Sequence, residues 1–174
     1  MQYDTDADFH ACIAELIDTA EVQQMCHIPQ HGQISCFGHS VLVAYLSYRI
    51  CRKWELDWRA AARGGLLHDL FLYDWRIHGT HEGLHAFSHP RAACSNANRI
   101  CALTDREQDI ILSHMWPVTF RHFYRYPESA VVSCVDKLCA VAEAFHVFHH
   151  MRLAHRLGLS QRVFLQRGNS LFDP

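Results

Sequence analysis

Apolar residues recur every three to four positions along most of this chain, the period of an amphipathic helix. In Asp6–Met25 this spacing places Phe9, Ile13, Leu16 and Ile17 on one side of a first helix. The same period predicts a helix from about Cys36 to Trp54, and another that starts at Asp57 as its cap and ends near Phe71. Ser88-His89-Pro90 reads as the next start, with Ser88 as cap and Pro90 in the first turn. Thr104-Asp105-Arg106-Glu107 is a capping-box signature for a helix that stops at or before Pro117. A last, long helix is predicted from about Pro127 to Leu157, with Gly158 as its stop. Between them, CHIPQHGQIS, YDWRIHGTHEGLHAFSHP and PVTFRHFYRYP read as loops, and RGNSLFDP as a loosely held tail. No alternating strand pattern and no repeat interrupts this series. The expectation is an all-α fold, a compact single-domain helical bundle of about six or seven helices over residues 1–174.

Composition narrows the function more than the fold. The 174 residues are 49% hydrophobic, enough for a real core, and the net charge of -2 offers no basic excess for long nucleic acid. No apolar run approaches a membrane span, and the acidic start MQYDTDADFH has no apolar signal region. The 8 cysteines form no CxxC pair and fall mostly among apolar neighbours, where a thiol behaves as a small hydrophobe. A cytoplasmic protein with reduced thiols is expected, with no membrane partner. The unusual count is 15 histidines, the commonest metal ligand among side chains.

The stretch GGLLHDLFLYDW puts His68 and Asp69 together in an apolar run. His39 shares its stripe with Leu42, Val43, Leu46 and Ile50, and His89 shares its own with Ala92, Ala93, Ala97 and Ile100. His114 follows Ile110 and Ile111, while Asp136 lies with Val132, Cys139 and Ala140. A single core histidine needs only a backbone carbonyl. Four histidines and two carboxylates on inward faces are harder to satisfy, because a desolvated carboxylate costs several kcal/mol unless paired. A divalent cation serves all six: it offsets the carboxylate charge and binds neutral imidazole.

The ordered set His39, His68-Asp69, His89, His114, Asp136 resembles the HD-domain metal-dependent phosphohydrolase superfamily. FGHSVLVAYLSYRI looks like its first ligand helix, AARGGLLHDLF like its His-Asp helix, and VVSCVDKLCAVAE like its final one. The resemblance covers about residues 35–145, and the extra His89 and His114 look like the subgroup with a two-metal site. It implies one or two divalent ions (iron, manganese, zinc or nickel), one held by His39, His68, Asp69 and Asp136 and the other by His89, His114 and the shared Asp69. It further implies a phosphohydrolase in which a metal-activated hydroxide attacks a small phosphorylated molecule or nucleotide. The doublet continues as HDLF, not HDIG, so a glycine turn after it is not expected and the helix should run on slightly into LYDWR. The GYP motif of the cyclic-dinucleotide-cleaving branch is absent.

In that reading Lys137, Arg63 and Arg91 are candidate cations for the phosphoryl charge, and His85 a candidate proton donor to the leaving group. His78, His81 and His122 are weaker candidates for the same tasks. His146, His149, His150 and His155 read as a polar helix face, and Trp116, Phe120, Phe123, Tyr124 and Tyr126 mainly as packing. Two alternatives share the ligands: a di-iron oxygenase of the same superfamily, and a non-catalytic metal- or ligand-binding module. An oligomer is compatible with all three.

Overall fold

Three helix starts are set by side chains that the sequence supplies locally. Ser35 accepts from the Gly38 amide, Asp57 accepts from the Ala60 amide, and Thr104 and Glu107 exchange a reciprocal capping box. Pro127 stands in the first turn of the last helix, where its missing N–H is not needed. The structure is a computed structural model that describes residues 5–30, 34–77, 79, 83–120, 122–145 and 157. Among these residues it is all-α, with seven α-helices: α1 (Thr5–Ile17), α2 (Ala20–Gln24), α3 (Cys36–Lys53), α4 (Trp58–Leu67), α5 (His85–Ile100), α6 (Asp105–Ser113) and α7 (Pro127–Ala144). A 3-10 turn, Met25–His27, follows α2, and an isolated antiparallel bridge joins Pro29 to Ser35.

Helix α3 is the spine. It packs along α4 and α7, α6 closes against α4 and α7, α5 lies on α6, and α1 caps α4. Phe9, Ile13, Leu16 and Ile17 are all buried against this frame, together with Phe37, Tyr48, Leu66, Leu67, Ile110 and Ile111. Two glycines permit the closest approaches. A methyl at Gly65 would come 2.9 Å from the Ala44 Cα on α3, and one at Gly64 would meet the Ile110 side chain at 2.8 Å. Backbone cannot yield as a flexible side chain can. Gly65→Ala is therefore expected to destabilise the chain by about 1–3 kcal/mol, although alanine is the better helix former. A urea midpoint equal to or above wild type would show that α3 and α4 separate easily.

Three boundaries differ from the sequence reading, and a fourth runs beyond the described residues. The first predicted helix breaks after Ile17, where the Thr19 hydroxyl and amide both bond to the Leu16 carbonyl and compete with helix continuation. The His-Asp helix ends at Leu67 and does not run into LYDWR. The His68 ring takes the Gly65 carbonyl at 2.7 Å, the acceptor that a continuing helix would offer to the Asp69 amide. The chain then turns through Leu72, with φ +58°. Helix α5 begins at His85 rather than Ser88; the Ser88 hydroxyl bonds back to the Leu84 carbonyl, and Pro90 lies inside the helix. Helix α7 is described to Ala144 with Phe145 as its C-cap, so the predicted extension to Leu157 and the histidines at 146, 149, 150 and 155 lie outside the described residues. The buried Leu157 is described, and its carbonyl meets His10 Nε2 at 2.5 Å.

Candidate metal centre

The six His and Asp side chains singled out in the sequence lie together in one buried cluster. His39 and Asp136 come from α3 and α7, and His89 comes from α5. His68 and His114 are the C-cap residues of α4 and α6, and Asp69 follows directly. All six are at least nine-tenths buried. The carboxyl ends of α4 and α6 thus face the cluster, and their unsatisfied carbonyl dipoles favour positive charge there.

Each imidazole is oriented by its Nδ1. That atom meets the Gly65 carbonyl in His68 at 2.7 Å, the His85 carbonyl in His89 at 2.8 Å and the Ile111 carbonyl in His114 at 2.8 Å. In His39 it meets Glu143 Oε2 at 2.9 Å. Carbonyl and carboxylate oxygens only accept, so each Nδ1 carries the hydrogen and each neutral ring turns a lone pair inward from Nε2. What those lone pairs face are further acceptors. His39 Nε2 is 3.0 Å from Asp136 Oδ1, and His68 Nε2 is 3.4 Å from Asp69 Oδ2 and 3.6 Å from Asp136 Oδ1. His89 and His114 Nε2 lie 3.4 and 3.6 Å from Asp69 Oδ1 and 2.8 Å from each other. His68 Nε2 is buried without a hydrogen-bond partner.

Only a proton or a metal ion reconciles such a set. Ligand atoms about 2.1 Å from a common ion sit roughly 3–4 Å apart, which is the spacing found. Three groups meet this condition, with ligand atoms within 4.8 Å of one another: His39-His68-Asp69, His68-His114-Asp136 and Asp69-His89-His114. Asp69, His68 and His114 each belong to two of them. The donor set is imidazole and carboxylate, which suits iron, manganese, nickel or zinc. The residues present therefore fit a divalent ion.

Without a metal the same geometry stores protons. Burial alone would lower His39, but its bonds to Asp136 and Glu143 outweigh burial and hold it up at about 9. Burial likewise opposes a charged His68, and Asp69 and Asp136 raise it well above the usual value nonetheless. Asp69 and Asp136 remain ionised in spite of burial because these rings face them. Burial, then the electrostatic influence of the neighbouring His68 and His89 rings, brings His114 down to about 3.

The cluster opens into a cavity of about 350 Å³ lined by Gln30, Trp75, His85, Met115, Val118 and Lys137 beside the ligand-type residues. His85 stands half-buried at its wall. Its Nδ1 meets the Tyr73 hydroxyl at 3.1 Å, and its ring stacks on His89 and Trp75. Lys137 also lines the cavity, but its ammonium donates to the His114 carbonyl at 2.7 Å and to Ser133 Oγ and O at 2.7 and 3.2 Å. It braces the His114 turn and offers no uncommitted cation; burial lowers its pKa.

Two expected substrate contacts are not brought here. Arg63 points to the far side of α4, where its buried guanidinium pairs with Glu107 at 2.5 Å and with Glu15. Five residues before His68, Arg63 stands about 140° around the helix from it. Arg91 is exposed and lines a separate pocket with Phe87, Pro90, Thr119, Phe120 and His122, because α5 turns His89 inward and Arg91 away. His122 is thereby placed outside the cavity, and His78 and His81 lie outside the described residues. Trp116, Phe123 and Tyr124 form a ring cluster near the surface, with Phe123 and Phe120 largely exposed.

Sequence reasoning missed two residues. Glu143 lies seven positions after Asp136 on the same face of α7, a helical signal that was readable. Gln30 donates from Nε2 to Asp69 Oδ2 at 2.5 Å; it sits in a loop with no periodicity to mark it. No family model, curated protein or solved structure matches this chain.

Proposed function

We propose that the chain is a metal-dependent phosphohydrolase acting on a small phosphate ester or nucleotide. The observation that supports this reading best is that a cluster of four histidines and two carboxylates opens, through Asp69, His89, His114 and Asp136, onto a cavity. A purely structural metal site would have no reason to line a space large enough for a small molecule. His39, His68, Asp69 and Asp136 would hold one ion, and His89, His114 and Asp69 a second. Divalent ions bound there would supply Lewis acidity, bringing a water's pKa to about 7 and drawing a phosphoryl oxygen into position.

The chain's own groups do the rest. Asp69, reached from both halves of the cluster, keeps the two halves in register. Glu143 fixes the His39 ring, and Lys137 with Ser133 fixes the turn that carries His114. Trp75, Met115 and Val118 give the cavity apolar lining. His85 stands at the wall where a leaving alkoxide would take up a proton. The name HD domain and the two-ion occupancy belong to this proposal.

Iron-dependent oxidation is the second reading. It is favoured by one observation: among the described residues lining the cavity, the single Lys or Arg cation, Lys137, is already committed. The two separate cleanly by assay. The full chain, stripped of metal and reloaded with manganese, zinc, nickel or iron(II), is expected to release phosphate from a panel of phosphomonoesters and nucleotides. Iron-loaded protein that consumes oxygen and releases no phosphate would replace the hydrolase with the oxygenase.

A further inference from the structure

The loop before α3 carries a side chain that the cluster does not yet account for. Gln30 is positioned by its own backbone: its amide bonds to the Ile34 carbonyl at 3.0 Å, and the Cys36 amide bonds to the Ile28 carbonyl at 2.8 Å. Trp75 Nε1 ties the preceding Pro29 carbonyl at 3.2 Å. From this anchored position Gln30 lines the cavity and donates Nε2 to Asp69 Oδ2 at 2.5 Å. An ionised carboxylate only accepts, so the nitrogen faces Asp69 and the oxygen faces elsewhere. That oxygen, Oε1, is buried and has no hydrogen-bond partner.

A buried, unsatisfied carbonyl oxygen costs about 1–3 kcal/mol, and the neighbours offer it nothing. Asp69 and Asp136 are acceptors, and no ring nitrogen of the cluster forms a hydrogen bond with it. The Lys137 protons go to His114 and Ser133, and the Trp75 N–H goes to Pro29. What this pocket lacks is a partner for that oxygen. We propose that Gln30 is a further ligand of the metal cluster, giving its amide oxygen to the ion that Asp69 also holds. In the metal-free chain Nε2 satisfies Asp69. When a cation neutralises Asp69, a half-turn of the amide exchanges nitrogen for oxygen in the same space, since the two ends have nearly the same shape. This rests on the cluster holding a metal, and not on the phosphohydrolase assignment.

Cobalt(II) titration of the metal-stripped full chain tests it, because cobalt's visible bands report the number and kind of ligands. Gln30→Met is expected to weaken cobalt binding by about 10- to 100-fold and to change the bands. Gln30→Glu is expected to bind at least as tightly as wild type, since a carboxylate replaces the amide oxygen as ligand. A glutamine that merely props Asp69 predicts the opposite for Gln30→Glu: two carboxylates side by side would weaken binding as much as Gln30→Met does. That result overturns the proposal, as do wild-type affinity and bands in Gln30→Met. Wild-type protein that binds no cobalt removes both this proposal and the metal centre. A wild type that binds cobalt, with both variants indifferent, removes this proposal alone.

Discussion

Asp69→Ala is expected to abolish metal-dependent turnover, by more than about a thousandfold, while leaving the helical far-UV signal close to wild type. The reason is its position. Asp69 is the one carboxylate in contact with His68, His89 and His114, and it belongs to two of the three candidate ligand groups. Its backbone carbonyl also accepts from the Cys36 thiol, a contact the alanine keeps. Loss of the side chain leaves the raised His68 without its nearest counter-charge, and breaking such a buried pair costs about 3–5 kcal/mol. The variant should therefore melt earlier than wild type when metal-free, and metal should no longer rescue it. Calorimetric titration and a melting curve with and without added ion measure both effects. Full turnover in Asp69→Ala would place the chemistry elsewhere.

Metal-free wild type is expected to lose stability as pH rises from 6.5 through 9, and metal-loaded wild type to gain it over the same window. His39 is held at about 9 in the fold against an ordinary value of 6.5. A pKa raised by folding means that the folded chain binds the proton more tightly. The stabilisation is fully present below 6.5 and disappears as pH climbs past about 9, a total of about 3 kcal/mol. His68, also raised, adds in the same direction. A metal ion needs the same Nε2 lone pairs deprotonated, so ion and proton compete. At pH 7 metal binding should release protons, seen as a buffer-dependent heat in calorimetry. Melting temperatures that do not move with pH in the metal-free chain would mean that His39 is not charged against Asp136 and Glu143.

Much of the fold was readable locally because its starts are short-range. A capping side chain acts over three residues, and the sequence marks Asp57 and Thr104 as caps, both of which the structure forms. Ends were less visible. The end of α4 depends on an imidazole of its own chain competing for the Gly65 carbonyl, and that ring is fully buried in the cluster. The early start of α5 and the break after Ile17 have the same character: a hydroxyl or a loop contact decides between two acceptable backbones.

The sequence by itself determined the residue types and their faces. Helical period put His39, His89 and Asp136 on apolar stripes, and inward faces must meet, so a shared buried site followed without coordinates. Tertiary structure alone decided partners. It brought Glu107 of α6 and Glu15 of α1 to the Arg63 guanidinium. It alone also brought in Gln30, because a loop residue has no period and its place is set by contacts with distant segments. Periodicity carries one angle per residue about one helix axis; the distances between axes are a property of the packed chain.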